Sequence, residues 1–205
     1  SSGIVSERRI LLARLVDEEG NSEWSECVAG EFPNYSYETV DTAWLALREW
    51  FAPRLLGARF RHPREVDALL ASGVRGHRMA RATLEMGGWA VFAQRTGISL
   101  AALLGGERTH VDVGISLGIQ ESPAALVERA TAAAAAGYRR IKLKVAPGYD
   151  IEYVRAVRDA LGATAPLMVD ANNAYSPDDV DTLMHLDEFA LMMIEQPLDH
   201  EDLVA

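Results

Sequence analysis

The first hundred residues follow one hydrophobic pattern and the last hundred follow another. Two β-rich runs lie within "RILLARLVDEEGNSEWSECVAG", on either side of a polar turn at Glu18–Asn21, which predicts a β-hairpin. Stretches with apolar residues at helical spacing follow at 36–57, 62–73 and 74–97, and Ser36 offers an N-cap for the first of them. A hairpin followed by helices predicts an α+β domain.

From about His110 onward, short apolar runs alternate with helical stretches. The apolar runs at 111–118, 140–145, 166–170 and 190–195 recur about every 25–28 residues, the spacing of βα units in a parallel sheet. The final segment, "EDLVA", predicts the start of a further helix. A closed eight-stranded barrel needs about 250 residues, so this half predicts either a small open sheet or the first half of a barrel.

Charged residues stand at the ends of three of these predicted strands. Lys142 and Lys144 lie two apart and therefore on one face of the second strand, while Asp170 ends the third and Glu195 ends the fourth. A single charge after a strand is often a solvated residue or a helix cap. Because the carboxyl ends of parallel strands hold the active site in βα folds, the four together favour a catalytic site.

These residue types suit one kind of chemistry. Two carboxylates on neighbouring strands form a partial Mg²⁺ site, and a divalent cation there stabilises an enolate formed beside a carboxylate. Cysteine and histidine at zinc-binding spacing are absent from the sequence. A lysine with its ordinary pKa near ~10.4 is a poor base at neutral pH. We interpret the second ammonium as the group that lowers the pKa of the first.

Composition and charge exclude other classes of function. The formal net charge of −10 argues against a nucleic-acid partner and against binding to an anionic membrane. No apolar run reaches the ~18 residues of a spanning helix, and the first residues lack a signal-peptide pattern. The single cysteine, Cys27, excludes an internal disulfide and favours a reducing compartment. We expect a cytoplasmic protein that acts on small molecules.

Three short motifs carry a resemblance to a known family. "IKLKV", "MVDANNAY" and "IEQPL", in this order, resemble the enolase superfamily in its muconate-lactonizing-enzyme-like subgroup. "EWSECVAG", "GHRMARATLEM", "VGISLGI" and "RIKLKVAPGYD" are similar to the o-succinylbenzoate synthase and N-acylamino acid racemase family. The resemblance implies an α/β protein with an α+β capping domain and linking helix over residues 1–105. Residues 106–205 would be the first half of a (β/α) TIM-type barrel, strands 1–4, in a truncated chain.

The resemblance also implies catalytic and metal-binding residues. Lys144 matches the family's acid/base, and Lys142 matches the lysine that tunes the site near the substrate carboxylate. Asp170 and Glu195 match the first two of three ligands to Mg²⁺, for which Mn²⁺ is a substitute. The third ligand and an opposing catalytic lysine would lie on strands that this chain lacks.

Further residues take supporting roles by the same resemblance. Asn172 matches a hydrogen-bond partner behind the metal ligands, and Ser116 is expected to face the substrate, with strand packing as the alternative. "SSGIVS" resembles the mobile loop of the capping domain, and Tyr35 lies where that domain contributes to the site or to its own packing.

The resemblance implies abstraction of a proton alpha to a carboxylate, through an enolate, by a lyase or an isomerase. An o-succinylbenzoate synthase of menaquinone biosynthesis and an N-succinylamino acid racemase both fit, since the same lysines serve both. A dipeptide epimerase or another enolase-superfamily enzyme is an alternative within the superfamily, and a non-enzymatic α/β domain is one outside it. We expect a small-molecule carboxylate substrate, no nucleic-acid or membrane partner, and a homo-oligomer when the chain is complete.

Overall fold

We describe the protein from a computed structural model, which covers residues 6–199 and 201–202 for description. The chain divides into two compact units between Arg108 and Thr109. Most of the predicted "SSGIVS" loop and of the predicted "EDLVA" helix lies outside the described residues. Within the described residues, no helix is both long and apolar enough to cross a membrane.

The first unit begins with the predicted hairpin. Strand β1 (Leu11–Val16) pairs antiparallel with β2 (Ser22–Cys27), so that Leu11 lies opposite Cys27. The side chain of Asp17 closes the turn by accepting hydrogen bonds from the backbone N–H groups of Glu19 and Asn21, at 3.0 and 2.9 Å. The polar turn between two apolar runs therefore has the structure that the sequence predicts.

The other regular elements of this unit are helices. They agree with the three predicted stretches, and one further short helix lies near residue 100. A π-helical turn, Leu47–Phe51, joins the first two. The helices are α1 (Val40–Ala46), α2 (Ala52–Leu55), α3 (Arg64–Ala71), α4 (Arg78–Thr96) and α5 (Leu100–Leu103).

The prediction that Ser36 caps the first helix is wrong. The N-cap is Thr39, whose hydroxyl accepts a hydrogen bond from Thr42 N–H, while the Thr42 hydroxyl accepts one from Thr39 N–H at 2.8 Å. Glu38, which precedes this N-cap, is buried, and its side chain accepts hydrogen bonds from the backbone at the start of α4. The residues between Ser36 and Thr39 therefore lie outside the helix.

Helix α4 packs across one face of the hairpin, and Gly87 allows the close approach. A Cβ atom built at Gly87 would lie 2.5 Å from a methyl group of Leu15. Ser25 of β2 also donates a hydrogen bond from its hydroxyl to the Thr83 carbonyl of α4, at 2.6 Å. The core between these elements includes Leu11, Cys27 and Leu84. The buried thiol of Cys27 belongs to this packing.

The second unit is a four-stranded parallel sheet with its strands in chain order. Parallel pairing of the four predicted segments is confirmed, although each strand is shorter than predicted. The strands are β3 (Gly114–Leu117), β4 (Arg140–Lys144), β5 (Leu167–Asp170) and β6 (Ile194–Glu195). The helices between them are α6 (Pro123–Ala135), α7 (Ile151–Leu161) and α8 (Val180–His185), the last flanked by short 3₁₀ turns.

Strand β6 is the strand that differs most from its prediction. The buried guanidinium of Arg158 donates hydrogen bonds to the backbone carbonyls of Phe189 and Ala190, at 2.9 and 3.3 Å. Ala190 also has a left-handed backbone, with φ 47°. The backbone hydrogen-bonds to β5 from Met192 and Met193 onward, at 2.8 and 3.1 Å, and the regular strand begins at Ile194.

Alternation along the strands separates the two faces of the sheet. Ile141, Leu143, Leu167 and Val169 are buried in a core that they share with residues of α6 and α7. The residues between them, which include Lys142 and Lys144, point to the opposite face. The sheet therefore packs on helices with one face and presents its charged residues on the other.

Candidate active site

Strand register brings the predicted charged residues into one row. Lys144 lies opposite Asp170, and Asp170 lies opposite Glu195 in the next strand. The preceding row on the same face contains Ser116 and Lys142, which are also register partners. The sheet thus assembles residues from four strands that are up to 79 positions apart in the sequence (195 minus 116).

Asp170 is the centre of this cluster. It is 2% exposed, and its Oδ2 lies 2.6 Å from Lys144 Nζ and 3.1 Å from Lys142 Nζ. Its Oδ1 accepts a hydrogen bond from the backbone N–H of Asn172 at 3.0 Å. Burial raises the pKa of Asp170, but the hydrogen bonds from Lys144, Lys142 and Asn172 outweigh that effect and leave the pKa below its ordinary value.

Lys142 joins the two carboxylates. Its Nζ lies 3.0 Å from Glu195 Oε2 and 3.1 Å from Asp170 Oδ2. The hydrogen bond to Glu195 and the one to Asp170 raise the pKa of Lys142. The two carboxylates therefore stabilise the charged form of Lys142, and our interpretation that one ammonium group acts on the other stays a prediction.

Asn172 is the fifth member of the cluster. Lys144 Nζ donates a hydrogen bond to Asn172 Oδ1, and Asn172 Nδ2 donates one to Gln196 Oε1 at 3.1 Å. The backbone of Asn172 has a left-handed conformation, with φ 45°, which asparagine tolerates better than most residues. The side chain therefore lies between Lys144 and the end of β6.

Ser116 lies on the same face but one row away. It is exposed on β3 and stands beside Lys142 in the register. Lys142, Lys144, Asp170 and Glu195 are joined by ion pairs, and Asn172 is joined to them by hydrogen bonds. These five are thus in direct contact, whereas Ser116 shares only their face.

The two carboxylates fit a cation. One ammonium group, that of Lys142, already lies within 3.1 Å of an oxygen of Asp170 and an oxygen of Glu195. These hard oxygen donors are the kind that Mg²⁺ prefers. Among residues 6–199 and 201–202, no group of three histidine, cysteine, aspartate or glutamate side chains converges as a metal site. This part of the chain thus offers a pair of ligands.

Two supporting contacts were not predicted from the sequence. Gln196 is part of the "IEQPL" motif, but nothing in that motif indicates its contact with Asn172. Asp150 caps α7 by accepting a hydrogen bond from Ile151 N–H, and it accepts another from the buried Tyr175 hydroxyl at 3.1 Å. Burial, followed by the charge of Asp150, raises the pKa of Tyr175. An aspartate before a helical stretch does indicate a cap, but the tyrosine lies in a different loop.

The chain is similar to known proteins in both sequence and structure. Residues 125–205 match the family described as "Enolase C-terminal domain-like". An o-succinylbenzoate synthase from Geobacillus kaustophilus is 44% identical over all of this chain and 54% of its own length. An N-succinylamino acid racemase from Amycolatopsis sp is 42% identical over all of this chain and 55% of its own length.

Among solved structures, a probable mandelate racemase from Alicyclobacillus acidocaldarius superposes with a TM-score of 0.90 at 41% identity. That match covers 98% of this chain and 54% of the other. The chain therefore spans about half the length of the relatives that it matches.

Proposed function

We propose that this chain forms part of a divalent-metal-dependent enzyme. The reason is that the chain belongs to the enolase superfamily, in the group of o-succinylbenzoate synthases and N-succinylamino acid racemases. The enzyme removes a proton from the carbon alpha to a carboxylate and passes through an enolate. The observation that carries this proposal is the contact of Lys142 and Lys144 with Asp170 and Glu195 at one edge of a parallel sheet.

In this proposal Lys144 is the acid/base. Its Nζ takes the alpha proton and carries it as an ammonium group, which Asp170 and Asn172 stabilise by accepting hydrogen bonds. Lys142 remains positively charged at neutral pH, because the ordinary pKa of a lysine is near ~10.4. It therefore attracts the carboxylate of the substrate, and Ser116 borders the same face.

Asp170 and Glu195 would hold Mg²⁺, or Mn²⁺ in its place. The cation, when bound, stabilises the negative charge of the enolate. The two carboxylates would exchange their contacts with Lys142 for the cation, and Lys144 would keep its contacts with Asp170 and Asn172. The buried position of Asp170 favours this role, because its oxygens are held by neighbouring groups and do not rotate freely in solvent.

The remaining parts of the active site belong to further segments of a longer protein. This proposal is supported by the relatives, since the chain covers 54% of the synthase length. A third metal ligand and a second lysine, on the opposite side of the substrate, come from those segments. We also propose that the complete protein is a cytoplasmic homo-oligomer that takes a small carboxylate substrate, with residues 1–105 as capping domain and 106–205 as half barrel.

The same residues serve two reactions. A synthase eliminates water from 2-succinyl-6-hydroxycyclohexadiene carboxylate after the proton leaves, in menaquinone biosynthesis. A racemase delivers a proton from a second acid to the opposite face of an N-succinylamino acid, while Lys144 keeps the proton that it removed. Turnover of both substrates by one preparation of the complete enzyme measures which activity is larger.

The test uses exchange of the alpha proton. The complete enzyme is incubated in D₂O with each enantiomer of an N-succinylamino acid, and the alpha-proton signal is followed by NMR. General acid–base catalysis is worth about 10²–10⁴-fold, so Lys144→Ala should lose at least that much on the face that Lys144 serves.

Lys144→Arg is the matched control for charge. Arginine can keep the ion pair with Asp170 but does not deprotonate, so this variant should be as inactive as Lys144→Ala. Exchange at the wild-type rate in Lys144→Arg would show that position 144 supplies only a positive charge. Lack of exchange in the wild-type enzyme with both substrates would overturn the proposed function itself.

A further inference from the structure

We infer that Gln196 is a positioning residue for Lys144, and that it acts by fixing the orientation of the Asn172 amide. This inference rests on the proposed function of Lys144 as the acid/base. Gln196 follows the metal-binding residue Glu195 on β6, whereas Lys144 lies on β4. Asn172, after β5, connects them through two hydrogen bonds.

The chemistry of the donors determines the orientation of this chain of contacts. An ammonium group donates hydrogen bonds and cannot accept them, so Asn172 must present Oδ1 to Lys144. The Nδ2 of Asn172 then points to Gln196 and needs an acceptor, which Gln196 supplies through Oε1 at 3.1 Å. An Asn172 amide turned the other way would place two donors against each other at Lys144. The side-chain carbonyl of Gln196 therefore favours the orientation of the Asn172 amide that Lys144 requires.

The backbone around this pair is held in an unusual conformation. Asn172, Asn173 and Gln196 all have left-handed backbones, with φ of 45°, 63° and 48°. The backbone N–H of Asn173 donates a hydrogen bond to the backbone carbonyl of Gln196 at 2.8 Å, which links the ends of β5 and β6. Left-handed residues cost energy and cluster at functional sites. Glutamine lacks the short side chain that makes this conformation cheaper for asparagine.

The consequence concerns the direction in which Lys144 exchanges its proton. The nitrogen of a lysine side chain has three positions for a proton or a lone pair. Asp170 Oδ2, at 2.6 Å, and Asn172 Oδ1 accept from two of them. When Asp170 and Asn172 are both fixed, the third position on Nζ can point in only one direction. This third position is the one that is left to take the proton from the substrate. Loss of the Asn172 orientation would therefore weaken proton transfer through Lys144 more than substrate binding.

The experiment compares Gln196→Met, Gln196→Glu and Gln94→Met in the complete enzyme. Methionine matches the length of glutamine but cannot accept the hydrogen bond, whereas glutamate keeps an acceptor. Gln94, on α4, is the matched position for the change from glutamine to methionine, since its Oε1 accepts a hydrogen bond from Ser22 N–H in the first unit. The readout is the ratio of alpha-proton exchange rates for the two enantiomers, because Lys144 serves one face only.

Gln196→Met should slow exchange on the Lys144 face by about 10–100-fold, the usual loss for a residue that orients a catalytic group. The effect should fall on kcat rather than on KM, and exchange of the other enantiomer should change less. Gln196→Glu should retain more of the exchange on the Lys144 face than Gln196→Met, and Gln94→Met should leave the ratio unchanged. Equal effects of methionine and glutamate at position 196, or equal loss on both faces, would overturn the inference.

Crystal structures of the variants separate this inference from the proposed function. Asn172 should leave Lys144 in Gln196→Met and remain beside it in Gln196→Glu. An unchanged contact between Asn172 and Lys144 in Gln196→Met would overturn the positioning role, whatever the enzyme converts. If the contact breaks as expected but the wild-type enzyme exchanges no alpha proton, the positioning holds and the proposed function fails.

Discussion

Among the residues that the structure describes, each unit buries one acidic side chain almost completely, and the two are held in different ways. Glu38, in the first unit, and Asp170, in the second, are both 2% exposed. The Glu38 carboxylate accepts hydrogen bonds from the backbone N–H groups of Met79 and Ala80, at 2.9 and 3.1 Å, in the first turn of α4. Asp170 is held mainly by the side chains of Lys142 and Lys144.

This difference shows how a buried charge serves folding or function. The donors to Glu38 belong to the free N–H groups of a helix N-terminus, and they cannot move away unless the helix frays. The donors to Asp170 are the ends of flexible side chains that are partly exposed, with 26% and 30% of their surface in contact with solvent. Glu38 is therefore held by the backbone of the fold, whereas Asp170 is held by side chains that can move, as the proposed metal binding requires.

The largest difference between Asp170 and Glu38 should be in metal binding, to which only Asp170 should contribute. In the complete enzyme, Asp170→Asn and Glu195→Gln should each weaken Mg²⁺ binding strongly. Loss of a residue that only hydrogen-bonds to a metal ligand costs about 10–100-fold in affinity, and loss of a ligand itself should cost more. Isothermal titration calorimetry with Mg²⁺, repeated with Mn²⁺, measures this.

Glu38→Gln is the matched control for that experiment, since it removes the same charge from the other buried site. Its Mg²⁺ affinity should equal that of the wild-type enzyme. Unchanged affinity in both Asp170→Asn and Glu195→Gln would show that these residues are not the ligands.

Stability should respond in the opposite order. Glu38→Ala leaves two N–H groups at the start of α4 without their acceptor, which should cost about 2 kcal/mol of unfolding free energy. Urea unfolding followed by circular dichroism measures the loss. Glu38→Gln keeps an acceptor and should lose less; equal losses in the two variants would mean that the hydrogen bonds are not the source.

A smaller effect is expected from the contact between two loops of the second unit. Tyr175→Phe removes the hydroxyl that donates to Asp150 and keeps the buried ring, so it should cost about 1 kcal/mol. Thermal unfolding measures this change. Asp150→Asn keeps an acceptor for Tyr175 and for the N-terminus of α7, and it should therefore be milder than Asp150→Ala. A Tyr175→Phe variant as stable as the wild type would show that the contact adds nothing.

The smallest effect should be the acid dependence that Asp170 contributes, because burial and the lysines act on its pKa in opposite directions. Its pKa lies below the ordinary value of 3.8, so folding favours the charged form. The stabilisation is present above pH 3.8 and is lost as the pH falls through the lower pKa of the folded state.

Melting temperatures of the metal-free enzyme from about pH 5 to about pH 2 would reveal this dependence. The stability difference between wild type and Asp170→Asn should shrink toward the acid end of that range. A difference that stays constant would mean that Asp170 has the same pKa in the folded and unfolded states.

Local patterns in the sequence determined the elements and most of the site. Two β-rich runs around a polar turn predicted the hairpin. Ser122 before Pro123 is a pattern typical of a helix start, and the Ser122 hydroxyl accepts a hydrogen bond from Ala125 N–H at 3.2 Å, where α6 begins. The strand-end positions of Lys142, Lys144, Asp170 and Glu195 follow from the same local reading, because parallel strands align their carboxyl ends. These features depend on neighbours in the chain, and the sequence contains them directly.

Only the tertiary structure decided which groups touch. Glu38 contacts the backbone of Met79, 41 positions away, and Arg158 contacts the backbone of Phe189, 31 positions away. The raised pKa of Lys142 likewise depends on Glu195, from a strand that is not its neighbour in the sheet. Hydrogen bonds and ion pairs form over about 3 Å in space, and sequence spacing does not encode that distance once the chain has turned back on itself.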